Sequence, residues 1–476
     1  MDFPIAFEAK DYIGVSIMIP AFFATTLALL FFRKLREIAL FLIVCGTVLS
    51  LGLSIHYFGA EWYRGTSRGF EVTFVDILAS ALLVSVMLDR RERKLYWPAS
   101  LAPLLLFTFW AALTVAIVSP WIFGSYELFK MLRGLVLFLA IAFFVRDERR
   151  ISIVLAGLAV AVLIQSTWAL HQWYSGIFRV TGTLDHANSL SMYLCLVTPV
   201  LVGGAASTLP PKLIRHLCWI AAAAAVPTIL LTLSRTGLPV FALVVVGSIL
   251  WCVSWRSTPR KAIIALFVLI FTTGMVARSW EQIEARYGEA TLGGEYFDEE
   301  SEGRGFYFRQ ASVILNNRPL GVGLNNWSYI VSKEFFSDKG MRYQDYDDLT
   351  FSPGRGSVVY SGAYAPPAHN LGLITLGEMG WVGFILLTVL WIRWFHVGLR
   401  NALASRQNPI RYVSVGILLG FLGLFLQSLT EWTFRQTEIY MTFSFLLGTL
   451  AALHQIRKES SRQQDETFFD NTLESS

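Results

Sequence analysis

Long apolar runs alternate with short polar segments along most of this chain. A run of roughly 20 residues is long enough to cross the hydrocarbon core of a bilayer as an α-helix. The runs lie near residues 13–32, 37–57, 70–88, 98–118, 127–145, 151–170, 187–206, 213–232, 236–254, 261–278, 369–394, 411–430 and 434–453. The pattern predicts an all-α polytopic membrane protein with about 12–13 transmembrane helices.

One long polar segment, residues 279–368, interrupts this pattern. It separates the predicted helices of residues 1–278 from those of residues 369–453, and residues 454–476 follow as a polar, Ser-rich tail. We expect short helices within the long loop. We expect the tail to be disordered, because it has too little apolar surface to bury.

The basic residues of the short loops predict the orientation of the helices. Lys and Arg concentrate in alternate loops, such as residues 33–36, 90–94 and 146–150, and such loops face the cytoplasm. The N-terminus and the long loop are therefore expected outside and the C-terminal tail inside. The first eleven residues lack a basic n-region, so we expect the first apolar run to be retained.

Composition narrows the class further. With 54% hydrophobic and 15% charged residues and a mean hydropathy of +0.53, the chain does not match a soluble globular protein. The net charge of +5 reflects the cytoplasmic Lys and Arg, so no nucleic-acid partner is expected. All four cysteines lie within apolar runs, and the acidic residues of the long loop lack a ligand spacing. We predict no metal site and no cofactor.

Arg235 is the first candidate for chemistry. It lies in Ser-Arg-Thr-Gly, residues 234–237, the tight turn between two apolar runs. A cation costs about 2.5 to 3.5 kcal/mol at the bilayer centre and less toward the interface. Arg235 is either an anion ligand that offsets this cost or an arginine whose head extends to the lipid headgroups.

Lys130 and Arg133 lie one helical turn apart near the outer end of the fifth apolar run, with Glu127 close by. Two interpretations remain open. They add cations to a diphosphate pocket, or they neutralise Glu127 and Asp76 in a structural network.

The long loop contains one predicted amphipathic helix. It begins at Arg304 and ends at Asn317-Arg318-Pro319, before a glycine turn. An arginine beside the free N–H groups of a helix N-terminus makes an anion site. The alternative for Arg304 is a solvated loop arginine.

His369 follows Ala-Pro-Pro-Ala and precedes Asn370 and an apolar run. A stiff segment thus places an imidazole at the membrane interface, where it can take up and release protons near neutral pH. A purely structural histidine is the alternative.

Four stretches of the chain together resemble the O-antigen ligase and polymerase superfamily of bacterial envelope enzymes. They are residues 179–189, residues 234–237, residues 304–326, and His369-Asn370 with Glu378-Met-Gly380. They occur in the order that the family shows. Two features depart from its pattern: Phe308 stands where Trp is usual, and an extra first span precedes what resembles a twelve-span core.

The resemblance implies a GT-C-like, metal-independent, inverting glycosyltransferase. Its donor would be a glycan on a polyprenyl (undecaprenyl) diphosphate carrier, and its acceptor a glycan, a lipid such as lipopolysaccharide core, or a protein. The reaction would occur at the periplasmic face of the bacterial inner membrane.

The matched motifs also imply roles for single residues. Arg235 and Arg304 would stabilise the leaving diphosphate, and His369 would orient or deprotonate the acceptor. These three are the predicted catalytic residues. The predicted substrate-binding residues are Lys130, Arg133, Arg179, Asn188 and Asn370.

The acceptor class stays open at this level. Ligases, polymerases and protein O-oligosaccharyltransferases share these motifs, and the single large outer loop favours a ligase. A transporter of lipid-linked sugars is a more distant alternative. It predicts symmetry between the two halves of the chain, and the sequence shows no such repeat.

Overall fold

A computed structural model describes residues 9–49, 54–59, 63, 65–91, 95–253, isolated positions between 262 and 288, and residues 304–331, 367–404 and 408–474. Seven helices of this part of the chain are long and apolar enough to cross a membrane, and three shorter apolar helices accompany them. The predicted all-α polytopic membrane fold is confirmed. The predicted span 261–278 lies largely outside the described residues, as does most of the long loop.

The described helices form two groups along the chain. In the N-terminal part they are α1 (Ala9–Phe31), α2 (Arg33–Gly46), α3 (Phe74–Leu88), α4 (Leu101–Ile117), α5 (Trp121–Phe144), α6 (Glu148–Tyr174), α7 (Ala187–Ala206), α8 (Lys212–Leu231) and α9 (Gly237–Cys252). The later helices are α10 (Arg304–Asn317), the single-turn α11 (Trp327–Ile330), α12 (Leu371–Ala402), α13 (Ile410–Ser428) and α14 (Thr437–Glu474), with a 3₁₀ turn at Thr433–Arg435. Helices α10 and α11 confirm the prediction of short helices in the long loop.

A small antiparallel sheet replaces helix at two places. Strand β1 (Ser54–Tyr57) pairs with β2 (Phe70–Thr73), so the expectation of continuous helix over 37–57 and 70–88 is wrong at these strands. Both strands contain a β-branched or aromatic residue at alternate positions, which favours a pleated conformation. The sheet leads directly into α3, whose first turn is closed by a Thr73–Asp76 capping box.

The two ends of the bundle differ in the loops and side-chain interactions that they contain. At one end, Asn325 Nδ2 donates to the carbonyl oxygens of Ser67 and Phe123, which joins the long loop to the β-sheet connection and to α5. At the other end, Arg36 pairs with Asp89 at 3.0 Å and Arg149 with Glu37 at 2.6 Å. Asn325 of the long loop and the basic residues Arg36 and Arg149 therefore lie at opposite ends, as the loop charges predict. Which end faces the periplasm stays a prediction.

Helix α7 lies at the centre of the bundle, because 94% of its 18-residue apolar stretch is buried. It packs closely on α13, because glycines lie where the helices approach. A Cβ on Gly203 would lie 2.2 Å from the Tyr412 carbonyl oxygen, and one on Gly420 would lie 2.2 Å from that of Leu196. Small residues allow this approach between membrane helices. The pair fixes the start of α7 relative to the end of α13.

Helix α12 is broken at Gly380, where φ is +66°. A broken helix leaves carbonyl groups without partners, and inside a membrane these must be satisfied by other groups. Val322 N donates to Gly377 O at 2.9 Å and Gly323 N to Glu378 O at 2.8 Å. Indole Nε1 of Trp110 donates to Met379 O at 3.0 Å. The glycine turn after α10 thus inserts into the break of α12.

The last helix is longer than the apolar pattern predicts. Helix α14 continues to Glu474, so residues 454–474 are helical where composition led us to expect a disordered tail. The apolar first part of α14 explains the difference, because each added residue extends an existing helix rather than starting a new one.

Candidate functional site

The ends of four helices meet around the carboxylate of Glu431, which lies between α13 and α14. The side chain is 4% exposed. Its Oε1 accepts a hydrogen bond of 2.7 Å from Nδ2 of Asn188, in the first turn of α7. Its Oε2 lies 3.2 Å from Nδ1 of His369, just before α12. The carboxylate therefore joins two residues that are 181 positions apart in the sequence.

Arg179 extends this arrangement on the other side of Asn188. Its Nη2 donates to Oδ1 of Asn188 at 2.8 Å, and its Nε donates to the carbonyl oxygen of Thr232 at 3.2 Å. Because a guanidinium only donates and a carboxylate only accepts, the two neighbours fix which way the Asn188 amide points. Arg179, Asn188, Glu431 and His369 form one hydrogen-bonded row, which we call the relay.

Aromatic rings hold the imidazole of His369 in place. The Trp432 ring stacks on it with centroids 4.5 Å apart and planes 23° apart, and the Tyr307 ring lies 6.0 Å away. The His369 side chain is 37% exposed, so reagents can reach it. If Nδ1–H donates to Glu431, Nε2 carries the lone pair. The geometry thus supports a fixed imidazole that can accept a proton through Nε2.

Asn370 caps α12 instead of extending the relay. Its Oδ1 accepts from Leu373 N at 2.9 Å, and its Nδ2 donates to Leu429 O at 2.7 Å. These are the contacts of a helix N-cap that also ties the start of α12 to the end of α13. Asn370 therefore positions His369 beside Glu431, and both of its polar atoms are engaged in doing so.

His186 is the N-cap residue of α7, and its Nδ1 accepts from Asn188 N at 3.3 Å. Desolvation and the nearby Arg179 guanidinium lower the pKa of His186 below its ordinary value. The ring is therefore neutral near neutral pH. A neutral ring leaves Arg179 as the cation at this end of the relay.

Lys130 lies in a second, deeper cluster. It is 3% exposed, its Nζ is 2.8 Å from Glu127 Oε2, and it donates to the carbonyl oxygen of Arg435 at 2.8 Å. Arg435 in turn lies 2.6 Å from Glu378 Oε2 and 3.5 Å from Glu127 Oε1. The cluster contains two acids and two cations, so its charges balance.

Arg133 also faces carboxylates. It lies 3.0 Å from Glu71 Oε2 and 2.8 Å from Asp76 Oδ2. Of the two interpretations that the sequence left open for Lys130 and Arg133, these contacts favour the structural network over a diphosphate pocket. The substrate-binding role of Lys130 and Arg133 stays a prediction.

The remaining predicted residues are only partly described. Arg235 is half-buried in the turn between α8 and α9. The next residue, Thr236, accepts a hydrogen bond of 3.3 Å from the Thr430 hydroxyl, which places the turn beside Glu431. Arg304 begins α10, but its side chain lies outside the described residues. The catalytic roles of both arginines stay predictions.

Glu431 is the residue that the sequence reasoning missed. The signal was present, because residues 431–433 are the whole gap between the apolar runs 411–430 and 434–453. An ionisable residue in such a short gap lies at the membrane interface, where it is a functional candidate.

Comparison with known protein families gives one match. Residues 220–388 match the family described as O-antigen ligase. The matched segment includes Arg235, Arg304, His369 and Asn370, whereas Arg179, Asn188 and Glu431 lie outside it. No curated protein matches the chain.

Proposed function

We propose, on the premise that this chain carries an O-antigen ligase domain over residues 220–388 and is a member of that superfamily, that it is a membrane glycosyltransferase. It takes a glycan from a polyprenyl diphosphate carrier and transfers it to an acceptor at the outer face of the bacterial inner membrane. The relay carries the proposal, because it presents an oriented base at a helix end of the bundle where a lipid-linked donor and an acceptor hydroxyl group can meet.

The proposed reaction is a direct displacement. The acceptor hydroxyl oxygen attacks the anomeric carbon of the donor, and the bond from that carbon to the diphosphate oxygen breaks. The hydroxyl proton passes to Nε2 of His369. Glu431 holds Nδ1–H and stabilises the imidazolium that forms, as a carboxylate does for any histidine base. One displacement inverts the anomeric configuration.

The leaving diphosphate gains negative charge as the bond breaks. Fixed guanidinium groups stabilise such a charge without a metal ion when they are held in place before the reaction. Arg235, whose turn adjoins Glu431 through Thr236 and Thr430, and Arg304, at the N-terminus of α10, are proposed for this role. Arg179 is already bonded to Asn188 and Thr232, so it contributes by orienting the relay and by its charge.

The subclass within the superfamily is proposed as ligase-type transfer, for instance to a lipopolysaccharide core. Carrier-linked glycan polymerisation and protein glycosylation use the same chemistry at Nε2 and differ only in the acceptor. The acceptor that works in a reconstituted reaction therefore defines the subclass.

The test is transfer by the purified protein. The protein in detergent is incubated with a polyprenyl diphosphate-linked oligosaccharide and candidate acceptors in EDTA. We expect transfer by the unmodified chain, and loss of transfer in His369→Ala and Arg235→Ala with folding intact. His396→Ala is the matched control, since it removes an exposed imidazole from α12 away from the relay. Full transfer by His369→Ala would refute the mechanism.

A further inference from the structure

Gln310 has an unusual position on α10. Residues on the buried face of this helix include Tyr307, Gln310, Ala311 and Ile314. Gln310 is only 7% exposed, yet among the described residues neither Nε2 nor Oε1 of its amide has a hydrogen-bond partner. A buried amide without partners costs free energy, so such groups are uncommon in folded proteins and invite an explanation.

The location of Gln310 points to the relay. Tyr307, one turn earlier on the same face, has its ring 6.0 Å from the His369 ring. Ile314, one turn later, lies beside Gly377 of α12. Side chains of a helix lean toward its N-terminus. The amide of Gln310 therefore leans toward Tyr307 and the His369 end of α12.

The chemistry of the group indicates what it binds. A primary amide offers donors on Nε2 and an acceptor on Oε1, which match two neighbouring hydroxyl groups of a sugar ring. A diphosphate would need cations, and an isoprenoid chain has no use for an amide. We propose that Gln310 binds hydroxyl groups of the sugar that reacts at His369, and so sets which sugar is accepted. This inference rests on the proposed transferase function.

The main competing explanation is a buried water molecule that serves only the fold. Gln310→Leu separates the two, because leucine has nearly the size of glutamine and no polar atoms. If the amide exists to bind substrate, its removal relieves an unpaired group in the free protein. The thermal midpoint of Gln310→Leu should then equal or exceed that of the unmodified protein. If the amide holds a structural water, the midpoint should fall.

Activity is measured on the same two proteins. We expect Gln310→Leu to lower kcat/KM at least about tenfold, which corresponds to the loss of one well-formed hydrogen bond. Donors and acceptors lacking single hydroxyl groups on the reacting sugar are then compared. The unmodified protein should discriminate against one of these analogues at least about tenfold, and Gln310→Leu should not, because the partner of that hydroxyl is gone.

Either of two results would overturn the inference. One is unchanged kcat/KM and unchanged discrimination in Gln310→Leu. The other is a fall in thermal midpoint that accompanies the loss of activity. Both differ from failure of the proposed function, which would appear as transfer that survives His369→Ala. The analogue against which Gln310→Leu no longer discriminates shows which hydroxyl group Gln310 binds. That hydroxyl belongs either to the donor sugar or to the acceptor sugar.

Discussion

Oε2 of Glu431 lies 3.2 Å from Nδ1 of His369, and Oε1 of the same carboxylate accepts a hydrogen bond from Asn188. The buried carboxylate thus has both oxygens engaged, one by the imidazole and one by an amide that Arg179 orients. A carboxylate held in this way fixes both the tilt of the imidazole and the nitrogen that carries its proton. This relationship is the basis for the first two predictions.

Glu431→Gln should reduce kcat strongly while leaving the protein folded. The glutamine keeps the shape of the side chain but carries no charge that could stabilise an imidazolium. Its NH₂ group is a hydrogen-bond donor, so it cannot accept the hydrogen bond from Nδ1–H. General acid–base effects of this kind amount to about 10²–10⁴-fold. The measurement is kcat for glycan transfer with the thermal midpoint as a control for folding. An unchanged kcat would remove Glu431 from the mechanism.

Arg179→Ala and Asn188→Ala should act on the same step, because the hydrogen bonds of Asn188 connect Arg179 to Glu431. The double variant should then lose scarcely more activity than the worse single variant. Arg149→Ala combined with Asn188→Ala is the control pair, since Arg149 lies at the opposite end of the bundle and pairs with Glu37. Additive losses for Arg179 and Asn188 would mean that Arg179 contacts substrate directly.

Much of this organisation could be predicted from the sequence. The apolar runs locate all seven described helices that are long and apolar enough to cross a membrane, and the predicted topology puts Arg179, Asn188 and His369 on one membrane face. Glu431 could not be paired with them, because periodicity within a helix says nothing about which helix ends adjoin. That depends on the close packing of α7 on α13 through glycines.

The sheet at β1 and β2 and the break at Gly380 had weaker signals for a related reason. Ser54–Tyr57 and Phe70–Thr73 are apolar enough to continue their neighbouring helices, and only pairing across the two strands favours extended backbone. Gly380 lies within a run of residues with a helical apolar pattern. The backbone N–H groups that bond to the carbonyl groups freed by the helix break belong to residues more than 50 positions earlier, so no local pattern indicates the break.

Lys130→Ala should destabilise the protein, because it leaves the buried Glu127 with one cation fewer. Removing one partner of a buried ion pair costs about 3–5 kcal/mol, against about 0–1 kcal/mol for an exposed pair such as Arg149 with Glu37. The thermal midpoint in detergent should fall in Lys130→Ala and stay nearly constant in Arg149→Ala.

The charge balance of the cluster supplies a second test. Glu127→Gln combined with Lys130→Met removes one acid and one cation and leaves Arg435 paired with Glu378. The double variant should therefore recover most of the stability lost in Lys130→Ala. If Lys130→Ala instead leaves the midpoint unchanged and raises KM for the donor, the diphosphate-binding interpretation would be supported.

Gly321→Ala should disrupt the join between the glycine turn and α12. Gly321 has φ of +86°, and a Cβ there would lie 2.4 Å from the Glu378 carbonyl oxygen. The matched control is Gly176→Ala, where φ is +84° and, among the described residues other than its chain neighbours, no atom lies within 4 Å of the added Cβ. In both variants the alanine must adopt a positive φ, which costs about 1–2 kcal/mol. Only in Gly321→Ala does the added Cβ also collide with a backbone carbonyl group, that of Glu378. The thermal midpoint of Gly321→Ala should therefore fall further than that of Gly176→Ala. Glycan transfer should fall with it, because this turn anchors α10 and Tyr307 beside His369.

Equal midpoints for the two variants would show that the turn can move away from α12 at little cost.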